Sequence, residues 1–451
     1  MAIDPLAGLG AQGLRDRIAD GALRSADLAR VLVERMAAKG ETVAGFAWFD
    51  PVYVTRQAEA LDRYRGTGRA IGALHGLPVA VSDLIDTRAI PTERGTPMEA
   101  GRAPERDAFA VERLRTAGAV LAGKTAVAPF GIALDAPARQ NTGAEAGSSR
   151  SPSPTASLAV VASGIIPLAI EADTAGATIS AAADAGIVGY LPTQGGLSRR
   201  GSFSPAPSLA GLCLLGQSTA DVAMLCDALQ GHDDPERPPT PPPRLHAAAL
   251  SAPPARPVFA FLRTPFWDSA NADTHGAFEE LATLLADTCF EAELPALFAG
   301  APAIADTIRL AELSKAMAPY ARRGGLSGGM MATLAQGDAI LARDYLAALD
   351  WPAVLNAGLD AIFARCDAII TPAGPGAIDG DSPTAGDGLA ARGFNSLWSL
   401  CGLPVITLPA FEDGSGNPIG LQLVARRGDD ARLLRNAHWI EGFIADPHRE
   451  E

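Results

Sequence analysis

Short apolar segments with the length of buried strands alternate with helix-forming segments along the first part of the chain. Residues 11–38 place apolar side chains at helical spacing, and residues 108–117 follow the same pattern until Gly118. The runs at 77–81 and 120–122 are short and almost wholly apolar. Helices that alternate with buried strands cover both faces of a sheet. The order therefore predicts an α/β fold.

The composition is that of a folded protein with a sizeable core. The 451 residues are 48 % hydrophobic and 20 % charged, which suits one large α/β unit or two domains. The formal net charge of −14 would repel nucleic-acid phosphates and anionic lipids. Neither nucleic acid nor a membrane is therefore expected as a partner.

The cysteines and the first residues indicate the compartment. Five scattered cysteines form no C-x-x-C pair, which argues against a disulfide framework and a structural zinc, so no metal or cofactor is expected. The N-terminus has no basic segment followed by an apolar run, so we expect a cytoplasmic protein without a signal peptide. Only three of the 37 basic residues are lysines, a bias that is typical of GC-rich bacterial genomes.

A proline-rich stretch interrupts the alternation of helices and strands. Residues 235–257 read PERPPTPPPRLHAAALSAPPARP, and proline at this density favours extended, solvated backbone. This stretch is predicted to be a surface connector. Residues 258–360 then return to mostly helical patterns, and no internal repeat is visible.

Eight short blocks, taken in order, resemble the amidase-signature family. They extend over about residues 12–445, and the resemblance is weakest between about 232 and 360. The blocks are L-H-G-L-P-V-A-V at 74–81, R-L-R-T-A-G-A-V-L-A-G-K-T at 113–125, I-P-L-A with D-T at 166–174, G-I-V-G-Y-L-P-T at 186–193, L-S-R-R-G at 197–201, F-N-S-L-W at 394–398, G-L-P-V at 402–405 and G-L-Q-L-V at 420–424.

The resemblance implies a fold and an architecture. Residues 1–451 would form a single amidase-signature domain, a large twisted mixed β-sheet covered by helices on both faces. Residues 258–360 would be the variable helical region that shapes the pocket. Relatives in this family are often dimers, so a homodimer is also expected.

The resemblance also implies a chemistry. The family cleaves amide bonds with a nucleophilic serine, a bridging serine and a lysine. A serine hydroxyl is a weak nucleophile until a base removes its proton, and in the family the buried lysine does so through the bridging serine. Backbone N–H groups of the turn before the nucleophile bind the developing oxyanion. In this chain that turn would be Thr174, Ala175 and Gly176.

Two of the three catalytic positions depart from the family pattern. Ser82 stands where the lysine should follow the V-A-V strand, and Ala177 stands where the nucleophile should end the turn. Ser153 keeps the position of the bridging serine. The chain is thus identified as a degenerate member that lacks the catalytic lysine and the nucleophilic serine.

These substitutions favour a catalytically inactive pseudo-amidase. Losing the nucleophile of a triad enzyme costs on the order of 10⁶ in kcat, about 8 kcal/mol of barrier. The chain is therefore expected not to be an enzyme. It would bind a small amide- or carboxylate-like ligand, or it would support a partner enzyme.

Two alternatives remain open. The first is an active amidohydrolase with a rearranged nucleophile, which would be Ser153, Thr178 or Ser180. None of these hydroxyls has a base that the sequence identifies. Asp173 is interpreted as bracing the turn, and with Thr178 and Ser180 it completes the candidate pocket. The second alternative is a scaffold protein without a ligand, present as one component of a complex.

Overall fold

The computed structural model describes residues 9–39, 45–132, 156–231, 233, 243–376 and 389–446. Within these residues, eleven strands form one sheet. The strands are β1 (Phe46–Trp48), β2 (Pro78–Ser82), β3 (Val120–Thr125), β4 (Leu168–Thr174), β5 (Val188–Leu191), β6 (Ala210–Gly216), β7 (Phe259–Leu262), β8 (Cys289–Ala292), β9 (Ala368–Pro372), β10 (Val405–Glu412) and β11 (Pro418–Val424).

Fourteen α-helices lie in the same described residues. They are α1 (Ala11–Asp20), α2 (Ser25–Lys39), α3 (Pro51–Arg65), α4 (Phe109–Thr116), α5 (Ser157–Ala162), α6 (Ala177–Asp184), α7 (Thr219–Leu229), α8 (Leu245–Ala249), α9 (Ala272–Leu285), α10 (Ala301–Arg323), α11 (Gly328–Asp338), α12 (Ala342–Phe363), α13 (Leu389–Cys401) and α14 (Asp430–Ala445).

The sheet is mixed, with the order β1-β3-β2-β4-β6-β5-β10-β11-β9-β7-β8. Strands β3, β2 and β4 run parallel, and so do β9, β7 and β8 near the opposite edge. The other neighbours are antiparallel. Parallel neighbours need crossover connections, which helices supply here. A large mixed sheet with helices on both faces confirms the predicted fold class.

Successive residues of β2 belong to two different hydrophobic cores. Val79 and Val81 pack in the core that includes residues of α1, α4, α7 and α14. Ala80 packs in the core that includes residues of α5, α6, α12 and α13. Successive side chains of a strand point to opposite faces of a sheet. The apolar run of β2 is therefore explained by burial on both faces.

The predicted connector and variable region are described only in part. Residues 234–242 lie outside the described residues, whereas 243–257 contain helix α8, whose Leu245 and Ala249 are buried. Residues 258–360 hold helices α9 to α12 and also strands β7 and β8, so this region contributes to the sheet. The division of the chain that the sequence suggested stays a prediction.

Helix α12 is, among the described residues, the one helix whose length and apolar composition would also suffice for a membrane span. Its Ala348, Leu355 and Leu359 are buried in the core that contains Ala80. Such a buried stripe is the arrangement of a helix that packs on a globular domain. The expected absence of a membrane partner stays a prediction.

A third, smaller cluster joins helices α10 and α11 to the segment after β3. Its centre is Phe130, whose ring centroid lies 4.5 Å from that of Tyr320 and 5.8 Å from that of Phe203. The buried members around Phe130 are Leu313, Met317, Tyr320, Met330 and Leu334. We call Phe130, Phe203 and Tyr320 the aromatic layer.

Lys124 is fully buried near the end of β3. Its Nζ donates to the backbone oxygen of Ile85 and, at 3.1 Å, to Oγ1 of Thr87. Burial lowers the pKa of Lys124 from 10.5 to about 7, although the carboxylates of Asp83 and Asp86 act in the opposite direction. The lysine thus ties the end of β3 to the loop after β2.

Replacing Lys124 with methionine should change how stability depends on pH. Between pH 7 and 10.5 the unfolded chain keeps a proton on Lys124 that the folded chain has lost, so wild-type stability rises with pH in this window. From pH 6 to pH 9, wild type should gain about 2–3 kcal/mol in unfolding free energy relative to Lys124→Met. Urea denaturation at both pH values measures the difference.

The exposed Lys315 offers the matched control. Lys315→Met should follow the pH dependence of wild type. A difference between wild type and Lys124→Met that is the same at both pH values would contradict the lowered pKa of the buried amine.

Candidate active site

A sharp turn joins β4 to α6, and Asp173 holds it in place. The carboxylate of Asp173 accepts the N–H of Gly176 at 2.8 Å and that of Thr178 at 2.7 Å. Ala175 and Gly176 both lie in the left-handed region, with φ of 59° and 78°. This region is unfavourable for alanine. The turn of Thr174, Ala175 and Gly176 is therefore strained and depends on the Asp173 brace.

Thr178 lies in the first turn of α6, and its hydroxyl is also hydrogen-bonded to the carboxylate of Asp173. Both side chains are almost fully buried. Burial raises the pKa of Asp173, while the hydrogen bonds from Thr178 and Gly176 lower it. The sequence identifies no base for Thr178, but the structure brings Asp173 to it. A hydroxyl bonded to a carboxylate is the arrangement of a nucleophile with its general base.

A small cavity of about 30 Å³ lies beside this pair. That volume accommodates a group of about the size of one or two water molecules. Ala177, Thr178 and Thr174 line it, so the structure brings three of the predicted site residues together. The other lining residues are Leu84, Phe130, Gly131, Glu171, Ala172 and Pro205.

A buried polar network adjoins the cavity, and sequence analysis missed most of it. The Ser82 hydroxyl donates a hydrogen bond to Glu171, and Ser157 donates one to the other carboxylate oxygen at 2.7 Å. The hydroxyl oxygens of Thr125 and Ser157 are 2.7 Å apart. Hydrogen bonds donated to a carboxylate stabilise its negative charge. Ser82 stands at the position where the resemblance predicts the lysine. Its hydroxyl thus stabilises the carboxylate of Glu171.

The strand register explains why these residues meet. Ser82 pairs with Thr125 across β2 and β3, and Val81 pairs with Ile170 across β2 and β4. The next residue along β4 is Glu171, which therefore lies beside Ser82 at the same edge of three parallel strands. Charged residues are rarely buried unless they are paired. The glutamate within the otherwise apolar L-A-I-E-A run was the signal that could have identified this site.

The other two candidate hydroxyls differ from Thr178. The Ser180 oxygen accepts a hydrogen bond from Nδ2 of Asn395, which also donates to the backbone oxygen of Ala373 at 3.1 Å. Ser180 does not line the cavity. Ser153 lies outside the described residues. Among the described candidates, Thr178 is therefore the hydroxyl at the cavity wall.

No metal site is apparent in the described part of the chain. No group of three or more His, Cys, Asp or Glu side chains there could hold a metal ion. The buried His75 lies 3.1 Å from the backbone oxygen of Leu61 through Nε2, and burial lowers its pKa. It does not line the cavity. The expected absence of a metal or cofactor stays a prediction.

Known proteins align with almost the whole chain. The A subunit of glutamyl-tRNA(Gln) amidotransferase from Cereibacter sphaeroides is 29 % identical over 498 residues, which cover 96 % of this chain and 97 % of the relative. The protein of the same name from Chloroflexus aurantiacus is 29 % identical, and the alignment covers 93 % of each chain.

Solved structures share the fold. A chain of the vestigial protein complex described in connection with the origins of an s-triazine catabolic enzyme has a TM-score of 0.86 and 23 % identity, and the match covers 96 % of this chain and 98 % of that one. The peptide amidase PAM in complex with chymostatin has a TM-score of 0.76 and 25 % identity, with 97 % and 98 % covered. These matches agree with the mixed sheet described above.

The prediction of a catalytically inactive pseudo-amidase is wrong. The relatives that align with nearly the whole chain are named for an enzyme activity, the transfer of an amide group, and nothing in them indicates inactivity. The prediction treated Ser82 and Ala177 as the loss of all catalysis. Those residues concern only the predicted route through a lysine and a serine, whereas Thr178, which lines the cavity, offers another hydroxyl, hydrogen-bonded to the carboxylate of Asp173.

The family itself is shown by the extent of the match. The family model described as Amidase covers residues 27–434, far more than half of the chain. The eight blocks found in the sequence fall within or beside this range. The chain belongs to the amidase family.

Proposed function

We propose that the chain is an active amidohydrolase that cleaves C–N amide bonds with Thr178 as its nucleophile. The observation that carries this proposal is the hydrogen bond between the Thr178 hydroxyl and Asp173 at the wall of the cavity. It is the alternative that sequence analysis left open, and the names of the relatives favour it.

Asp173 is the proposed general base. Its burial raises its pKa above the ordinary value for an aspartate, which makes the carboxylate a better proton acceptor. It would take the Thr178 proton as the oxygen attacks the amide carbon. The departing amine would take that proton from Asp173 when the C–N bond breaks. A water molecule, deprotonated by Asp173, would then hydrolyse the ester and return a proton to Thr178.

The Ala177 N–H is the proposed donor to the oxyanion. It belongs to the first residue of α6 and has no hydrogen-bond acceptor among the described residues. The N-terminus of a helix carries partial positive charge, which favours a developing negative oxygen. Ala177 also lines the cavity, so its lack of a hydroxyl does not remove its backbone from the chemistry.

Glu171 is the second carboxylate at the cavity and is proposed to favour release of the amine. It accepts hydrogen bonds from Ser82 and Ser157, which hold its carboxylate in place. A negative charge beside the cavity stabilises the protonated form of a nearby amine. Protonated amines leave more readily than their anions, so Glu171 would assist the step in which the C–N bond breaks.

Turnover of simple amides by the purified chain tests the proposal. Incubation with a panel of primary amides and the matching methyl esters should release ammonia or methanol above the buffer rate, in proportion to protein concentration. Enzyme-coupled detection of ammonia is the measurement. A panel without any protein-dependent hydrolysis, by a chain shown to be folded by circular dichroism, would contradict the proposed activity.

We also propose that the chain works beside a partner protein. The relatives that cover it almost completely are named as one lettered subunit of an amidotransferase, which describes them as a component of a larger enzyme. Purification of the tagged chain from its own cells under native conditions tests this idea, because a stoichiometric companion should then be retained. A cytoplasmic location and a homodimer stay predictions.

A further inference from the structure

The cavity beside Thr178 has a polar part and an apolar part. Thr178 and Glu171 are among its polar lining residues, whereas Leu84, Phe130 and Pro205 supply its large apolar ones. A simple amide has the same division, because its C–N group is polar and its acyl substituent is hydrocarbon. Apolar groups are stabilised where they are removed from water against other apolar groups. The apolar part of the cavity therefore suits the acyl substituent.

The side chain of Phe130 is held firmly on the side away from the cavity. It is 1 % exposed, and its ring centroid lies 4.5 Å from that of Tyr320. It belongs to the same buried cluster as Leu313 and Met317 of α10. Close-packed side chains resist displacement, since moving one of them strains its neighbours. A ligand in the cavity therefore meets a wall that does not yield readily.

The backbone of the same wall is fixed as well. Phe130 has a φ of 59°, in the left-handed region, and its N–H donates to the backbone oxygen of Arg94 at 2.8 Å. Such a conformation persists at a non-glycine residue only where the surroundings enforce it. Gly131 also lines the cavity, and a Cβ atom there would lie 2.6 Å from Cδ1 of Leu84. Leu84 is thus packed directly against this backbone.

The wall leaves little space for the substrate. The cavity volume of about 30 Å³ corresponds to one or two water molecules. In the proposed reaction the carbonyl carbon lies beside the Thr178 oxygen, and the departing nitrogen lies towards Glu171. The acyl substituent is then the part that enters the apolar side of the cavity. A methyl or ethyl group has about the size that this space accommodates, whereas a longer or aromatic group would have to displace the Phe130 ring.

We propose that Phe130 limits the size of the acyl group, so that the preferred substrates are amides of short-chain acids, such as acetamide and propionamide. The inference rests on the proposed amidohydrolase activity and names its substrate class. Phe130 takes no part in the bond-breaking steps and acts on specificity alone. One methylene more than an apolar pocket holds changes kcat/KM by about 10- to 200-fold.

A series of amides that differ only in the acyl group measures this limit. For wild type, kcat/KM should fall at least about 10-fold from propionamide to butyramide, and benzamide should be a poorer substrate still. In Phe130→Ala the ratio of kcat/KM for butyramide to that for acetamide should rise about 10- to 200-fold. Phe130→Leu should raise the same ratio by a smaller factor. It serves as the second variant because truncation of a buried phenylalanine to alanine is strongly destabilising.

Phe203→Leu is the matched control variant. The Phe203 ring lies 5.8 Å from the Phe130 ring in the aromatic layer, but Phe203 does not line the cavity. This variant loses a comparable aromatic contact and should change the butyramide-to-acetamide ratio by less than about 3-fold. A fall in kcat/KM by the same factor for both substrates in Phe130→Leu, with the ratio unchanged, would assign Phe130 a purely structural role and overturn the inference.

Binding measured by saturation-transfer NMR separates this inference from the proposed activity. Acetamide should bind wild type and Phe203→Leu, whereas benzamide should bind Phe130→Ala or Phe130→Leu and not wild type. This binding pattern without turnover of any amide would overturn the activity and keep the size limit. Turnover of acetamide, butyramide and benzamide by wild type with similar kcat/KM would overturn the size limit alone. Neither binding nor turnover of any amide would overturn both.

Discussion

Replacing Thr178 with valine is expected to lower kcat for amide hydrolysis by about 10⁴-fold or more. Valine has nearly the volume of threonine but no hydroxyl, so the variant removes the proposed nucleophile with little change in packing. Loss of a nucleophile in a triad enzyme costs up to about 10⁶ in kcat. Initial rates of ammonia release measure the effect, and circular dichroism verifies that the variant is folded.

Two further variants make this experiment specific. Thr178→Ser keeps a hydroxyl and should retain measurable turnover. Ser180→Ala removes the hydroxyl that contacts Asn395 away from the cavity, and its rate should stay within about 5-fold of wild type. Full activity in Thr178→Val, together with loss in Ser180→Ala, would assign the chemistry to Ser180 and refute the role given to Thr178.

Replacing Asp173 with asparagine should lower kcat/KM by about 10²- to 10⁴-fold, the usual contribution of a general base. It should also remove the acid limb of the pH–rate profile. A base acts only when ionised, so wild-type activity falls as the pH decreases through the raised pKa of Asp173. Profiles of kcat/KM from pH 4 to pH 9 for both proteins measure the change.

Stability provides the control for this substitution. Because burial raises the pKa of Asp173, the stabilisation from this group is present at low pH and is lost as the pH rises through the folded-state value. The unfolding free energy of Asp173→Asn minus that of wild type should therefore be larger at pH 8 than at pH 4. An unchanged acid limb in a folded Asp173→Asn protein would show that another group is the base.

The architecture could be predicted from the sequence because it depends on local patterns. A mixed sheet with two helical layers is indicated by the apolar runs at β2 and β3, by the helix between them and by the ordered blocks. Ser82 and Ala177 are single residues within recognisable motifs, so the sequence could suggest them as departures from the family pattern, and that interpretation stays a prediction. Their functional meaning was misjudged because each position was considered without its neighbours in space.

The site itself depends on contacts that no local pattern encodes. Glu171 meets Ser82 only because three parallel strands share one register, and Ser157 reaches the same carboxylate from a helix. Asp173 becomes the partner of Thr178 because Ala175 and Gly176 adopt the left-handed conformation. An Ala–Gly sequence does not predict this conformation at the alanine. Side-chain pairs of this kind need atoms placed to within about a few tenths of an ångström, which only the folded chain defines.

The pairing of β5 with β10 has a consequence for how the chain is made. Val405 in β10 lies opposite Leu191 in β5, about two hundred residues earlier in the sequence. Until β10 has left the ribosome, the first six strands can form only their own part of the sheet, and β5 presents an unprotected hydrogen-bonding edge. Open strand edges invite pairing with other chains, and such long-range contacts form slowly. The interval between the synthesis of β5 and that of β10 is therefore the period in which the nascent protein depends most on chaperones.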